Sequence, residues 1–133
     1  MKADESAIWR DHSPVSETPG LSVRTSFPNN PKGVEVMLEC WDAGSSEPPH
    51  SHPGDDMTVV IEGKMILQFF IRQGGRLIKD GEAITLSQGE TGYVEGGRIH
   101  DAKYVESCRL VYAHDRAFAF VDESQAIECR GYA

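Results

Sequence analysis

Cysteine is scarce in this chain: Cys40, Cys108 and Cys129 are its three, with no CxxC pair among them. So small and scattered a set excludes a disulfide framework and a cysteine-rich zinc site, and reads as reduced, buried thiols. Positive charge is also short. Lys and Arg number 13 against 21 Asp and Glu, a net charge of −8. A chain of this sign repels polyanions, so neither nucleic acid nor an anionic membrane surface is an expected partner. Long apolar runs are missing as well: Met65 to Ile71 is the most apolar stretch, far short of the ~20 residues that span a bilayer. The N-terminus, MKADESAIWRDH, carries acids where an export signal would run positive and then apolar, so the expected location is the cytoplasm.

Turn-formers are plentiful. Thirteen glycines and seven prolines among 133 residues are too many for a helical bundle, and the length suits one domain. Residues 1–20, with SPVSETPG, show no sustained periodicity and read as an irregular N-terminal arm. From Leu21 the chain breaks into short β-like runs: LSVRTSF, GVEVMLECW, MTVVIE, KMILQFFIRQ, RLIK, EAITL, TGYVE and the apolar part of RLVYAHDRAFAFV. The second run alternates Val34, Val36, Leu38 and Cys40 against Glu35 and Glu39. Gly74-Gly75 and Asp80-Gly81 read as hairpin turns, and the Gly-Ser-Ser-Glu-Pro-Pro segment before His50 as a loop. DESQAIECR could form a short helix with Ser124 as its N-cap. The expected architecture is all-β: an antiparallel sandwich or barrel over residues 21–133, with a short C-terminal tail.

Three of the five histidines form a pattern. His50 and His52 are two apart, so on an extended strand both imidazoles leave the same face. Asp56 keeps that parity if no bulge intervenes, although Asp55 competes for the role. His100 returns after Asp80-Gly81, Gly89 and Gly96-Gly97 have turned the chain several times. Three imidazoles and a carboxylate converging in a barrel suit iron, manganese, nickel, zinc or copper, with positions left for water or substrate. A lone HxH carries little weight by itself. His12, in the arm, is expected to be exposed, and His114 to be a hydrogen-bonded core or rim residue.

These motifs resemble those of the cupins. PPHSHPGDDMTVVIEGKM matches the first cupin motif through His50, His52, Asp56 and Gly63. GETGYVEGGRIHDAKY matches the second through Gly89, Gly97 and His100, with Glu95 at the usual proline and Tyr104 at the usual asparagine. The resemblance covers about residues 33–115. It implies a double-stranded β-helix, a jelly-roll barrel with one divalent transition metal in its mouth held by His50, His52, Asp56 and His100. Aspartate is one methylene shorter than the family's usual glutamate. Gly63, Gly89 and Gly97 are expected to serve positive φ angles rather than chemistry.

What such a chain would do follows from a metal in an apolar pocket. The first expectation is a metal-dependent enzyme on a small organic acid or enediol, a dioxygenase ahead of an isomerase or lyase. Tyr104 is the candidate proton donor or anchor, and Gln68, Tyr112 and His114 are candidate substrate contacts. The alternative is a non-catalytic cupin that binds a small ligand as a sensor or storage module. Open sheet edges and the arm also predict a homodimer with residues 1–27 at its interface.

Overall fold

The computed structural model describes residues 9–25, 33–115 and 119–124. Its elements are strands: β1 (Ser13–Pro14), β2 (Leu21–Thr25), β3 (Glu35–Trp41), β4 (Ser45–Ser51), β5 (Asp56–Glu62), β6 (Lys64–Gln73), β7 (Arg76–Lys79), β8 (Ile84–Ser87), β9 (Thr91–Val94), β10 (Ile99–Tyr104), β11 (Cys108–His114) and β12 (Val121–Asp122). Among the described residues there is no helix, so none is long and apolar enough to cross a membrane. The expected helix over DESQAIECR falls, from Gln125 on, outside the described residues.

Two antiparallel sheets form the jelly roll. One runs β1-β2-β3-β11-β5-β9; the other runs β12-β4-β10-β6-β7, with β8 also paired to β6. Alternation sets the facing. In β11, Cys108, Leu110, Tyr112 and His114 point inward and are buried; in β10, His100, Ala102 and Tyr104 do the same. Trp41, Val60, Met65, Leu67 and Leu86 complete the core with them. Cys108 is a free buried thiol and Cys40 a half-buried one.

Gly63 marks the point where the chain passes from one sheet to the other, between β5 and β6. Its φ is +86°, and a Cβ there would lie 2.1 Å from the Ser107 carbonyl oxygen, so no side chain fits. Gly89 and Gly97 have positive φ too, as expected. The Gly74-Gly75 hairpin is formed, closing Gln73 onto Arg76.

Other local readings are corrected. Asp80-Gly81 is no hairpin: β7 and β8 lie one after the other along β6, with Phe70 paired to Lys79 and Leu67 to Ile84. The amide of Asp80 bonds the Phe69 carbonyl, so the turn-former bends an edge rather than reversing it. The segment before His50 is not a loop but β4, despite its two prolines. A register shift against β10 takes them up: His100 faces His50, whereas Ala102 faces Glu47. Three steps on β4 thus match two on β10, a bulge that places proline where no ladder donor is required. On β3 the inward face carries Met37, Glu39 and Trp41, while Val34 is exposed. The interior is therefore not lined by the apolar alternates alone. His12 is half-buried, 5.8 Å from Trp9 in a stacked pair, not solvent-exposed as expected.

Candidate metal centre

Facing strands bring the histidines together. His50 on β4 is register partner to His100 on β10, and His52 follows just beyond β4. One ring nitrogen from each lies within 4.8 Å of the others, and all three residues are buried. Each Nδ1 has a backbone partner. His50 Nδ1 is 2.7 Å from the Pro48 carbonyl, His52 Nδ1 2.9 Å from that of Ala119, and His100 Nδ1 2.9 Å from that of Arg98. A carbonyl can only accept, so every Nδ1 carries the proton and every Nε2 presents its lone pair. That is the tautomer a metal requires, fixed in advance by the backbone.

Burial tunes the same groups. It holds His50 down at about 3, reinforced by His100, and lowers His52 and His100 as well. All three imidazoles are neutral near pH 7 and fit to ligate a divalent cation. The amide of Gly97 donates to the His52 carbonyl at 2.7 Å, tying the turn before β10 to the end of β4. Phe120 stacks on His50, with centroids 4.4 Å apart.

Around the histidines is a small cavity of about 40 Å³, whose wall includes Glu39, Glu47, Asp56, Thr58, Tyr104 and Tyr112. Three carboxyl groups in so little space resist ionisation. Burial raises Glu47 to about 8, Glu39 to about 7 and Asp56 to about 6; the charges of Glu39 and Asp56 add to the rise of Glu47, that of Asp56 to the rise of Glu39, and that of Asp55 to the rise of Asp56. Each has one donor: Trp41 Nε1 to Glu39 at 2.9 Å, Tyr104 Oη to Glu47 at 3.3 Å, and Tyr112 Oη to Asp56 at 2.9 Å. Burial drives both phenols far above their ordinary value, so they remain protonated donors.

Beyond Glu39 and Glu47 opens a groove of about 650 Å³. Val15, Leu21, Val23, Met37, Trp41, Pro48 and Phe120 give it apolar walls, and Glu17 and Asp122 add acid at the rim. Its volume suits a small organic molecule.

The expected site residues divide. His50, His52, His100, Asp56, Tyr104 and Tyr112 share the cavity. Gln68 lies outside its lining, with Nε2 donating to the carbonyls of Phe69 and Gly81 at 3.0 Å each. His114 sits elsewhere, its Nε2 3.5 Å from Glu35. Asp55 also turns away: it accepts from Tyr93 Oη and from the Gly96 amide at 2.8 Å, and its own amide donates to Asp115.

Glu39 and Glu47 were not among the residues the sequence singled out. Glu39 resembles the solvent half of an alternating strand. Glu47 is an odd number of positions from His50, which on a regular strand would put it on the other face. The Pro48-Pro49 pair was the available signal, since prolines inside a strand mark a bulge.

No family model matches the chain, and no curated protein does. Solved structures are similar. KdgF from Halomonas sp. superposes with a TM-score of 0.62 at 18% identity, covering 81% of this chain and 89% of that one. A cupin superfamily protein from Desulfitobacterium hafniense DCB-2 gives 0.57 at 16%, over 71% and 77%. The oxalate decarboxylase of Bacillus subtilis, in a study of its Mn(II) centres, gives 0.62 at 23%, over 83% of this chain but only 30% of that longer one. These likenesses establish the fold.

Proposed function

We propose that this chain, whose fold is the cupin fold, is a metal-dependent enzyme that converts a small organic acid or enediol, by oxygen insertion in preference to isomerisation or lyase chemistry. The observation that carries the reading is the convergence of one ring nitrogen from each of three buried histidines, every Nδ1 of which meets a backbone carbonyl. A divalent transition metal bound there (iron, manganese, nickel, zinc or copper) would supply Lewis acidity and a docking point for chelating oxygens. The reading holds with either Asp56 or Glu47 as the carboxylate beside the histidines.

The chain's own groups have separate tasks. The groove admits substrate, and its apolar walls with Phe120 limit water at the histidines. Tyr104 and Tyr112, both protonated, can donate hydrogen bonds to a bound oxyanion once Glu47 and Asp56 yield them. Glu39, raised toward neutrality, can hold or pass a proton at the groove end of the cavity. Solved neighbours named for oxalate oxidase and oxalate decarboxylase activity support a small acid as substrate class.

Elemental analysis of the purified protein tests the metal, followed by an oxygen-uptake screen against small acids and enediols. One equivalent of metal, lost in both His50→Ala and His100→Ala, is the expected result; full metal in both variants would overturn it. Bound metal without turnover of any substrate class would favour a non-catalytic small-ligand cupin, sensor or storage module.

We further read residues 21–133 as one cytoplasmic barrel domain that dimerises through the arm. The short β1 supports this, because among the described residues it is the edge strand of its sheet. Light scattering of the full chain and of a variant lacking residues 1–20 checks the dimer, which should dissociate in the shortened form.

A further inference from the structure

Among the described residues, Glu47 brings a carboxylate to within 4 Å of one of the converging histidine nitrogens. Its Oε2 stands 3.6 Å from His50 Nε2, the nitrogen left for a metal because Nδ1 is committed to Pro48. Neighbouring donors on one metal, each about 2.1 Å from it, stand roughly 3 Å apart. Glu47 therefore needs only a small shift of its carboxyl to share an ion with His50. Its other oxygen accepts from Tyr104 Oη, which fixes the carboxyl plane toward the histidines. The ring behind that hydroxyl is held in turn by Trp41, stacked at 4.3 Å and 11°.

Asp56 is placed differently. It pairs with His114 across the β5–β11 ladder, and its Oδ2 is taken by Tyr112 Oη. It carries the shorter arm and starts from the sheet opposite the one that holds His50 and His100. The bulge at Pro48-Pro49 supplies the alternative: the extra residue turns Glu47 to the same interior face as His50, and glutamate has the extra methylene that aspartate lacks.

We infer that Glu47, rather than Asp56, is the carboxylate ligand of the metal centre, completing a three-histidine, one-glutamate set drawn from β4, its C-terminal extension and β10. The inference rests on the three-histidine reading above, and the measurements separate the two. Cobalt(II) serves as the probe, with affinity taken from chelator competition and geometry from the visible absorption of the bound ion. Glu47→Gln keeps a carbonyl acceptor for Tyr104, and thermal melting of the apo variant verifies its fold. It should weaken cobalt binding about 100-fold and change the absorption band, whereas Asp56→Asn should weaken it less than about tenfold and leave the band in place. Glu47→Asp should fall between. Native affinity with an unchanged band in Glu47→Gln would overturn the inference, as would a larger loss in Asp56→Asn. Retention of stoichiometric cobalt by His50→Ala would instead overturn the three-histidine site itself.

Discussion

The ring of Phe120 lies nearly parallel to the imidazole of His50, with centroids 4.4 Å apart and planes inclined by 19°. One face of a candidate ligand is thus covered by a side chain from beyond β11, itself 43% exposed. Phe120→Ala should uncover that face at little cost to the fold, about 1 kcal/mol or less, because a half-exposed ring buries little area. The rate of metal release to excess chelator, followed by stopped flow, should rise severalfold, while the urea midpoint of the apo-protein barely moves.

Tyr104 offers a cleaner separation of packing from hydrogen bonding. The ring is 1% exposed and stacks on Trp41, while its hydroxyl donates to Glu47. Tyr104→Ala should cost about 3–5 kcal/mol through the cavity it leaves. Tyr104→Phe keeps the stack and should cost only about 1 kcal/mol. Chemical denaturation of both variants measures the difference, and equal losses would show that the hydroxyl rather than the ring holds this part of the core.

Glu39 predicts a pH dependence whose sign is fixed. Its folded value, about 7, lies above the ordinary 4.5 of an unfolded chain, with burial as the main cause. The folded state thus binds more protons between those values. The carboxyl's favourable contribution is complete below the unfolded value and disappears as pH rises through about 7. Glu39→Gln keeps an acceptor for Trp41 Nε1 but has no proton to lose. Relative to the native chain, the variant should gain about 1–3 kcal/mol between pH 5 and pH 8. Melting curves of the metal-free proteins at both pH values would show it, and a constant difference would contradict it.

Two glycines with nearly equal φ should respond unequally to alanine. Gly63 has φ +86° and the Ser107 carbonyl oxygen where a Cβ would go; Gly97 has φ +81° and open space. Gly97→Ala should cost about 1 kcal/mol from the backbone alone. Gly63→Ala must also displace a strand junction and should cost at least about 3 kcal/mol. Comparable urea midpoints for the two variants would contradict the steric argument.

Where neighbouring residues settle a matter, the sequence is a good guide here. β6 runs from Lys64 to Gln73, as its KMILQFFIRQ pattern indicates, and Gly74-Gly75 closes the hairpin that follows. The histidine trio was legible because spacing of two on a strand means one face. Departures arise where pairing across the fold overrides the local pattern. Asp80-Gly81 has the composition of a hairpin but bends an edge, because both flanking strands find the same partner in β6. Glu39 looks solvated by alternation, yet Trp41 supplies a hydrogen bond and burial a raised pKa that allow it inside. Glu47 is hidden by a one-residue bulge whose register is set by β10, some fifty positions later. Gln68 and His114 have the right chemistry for a pocket, but Gln68 donates to backbone carbonyls and His114 lies beside Glu35, both outside the lining of the histidine cavity.

His52 depends on a carbonyl 67 positions downstream, that of Ala119. The segment bearing that carbonyl is held by Glu123, whose amide bonds the Pro49 carbonyl and whose carboxylate meets Arg72 and Ser51. During synthesis, therefore, a nascent chain ending before Ala119 can already contain all three histidines while the ring of His52 still lacks its anchor. The tautomer of His52 is thus set only once the residues through Glu123 have been made and have folded back onto β4.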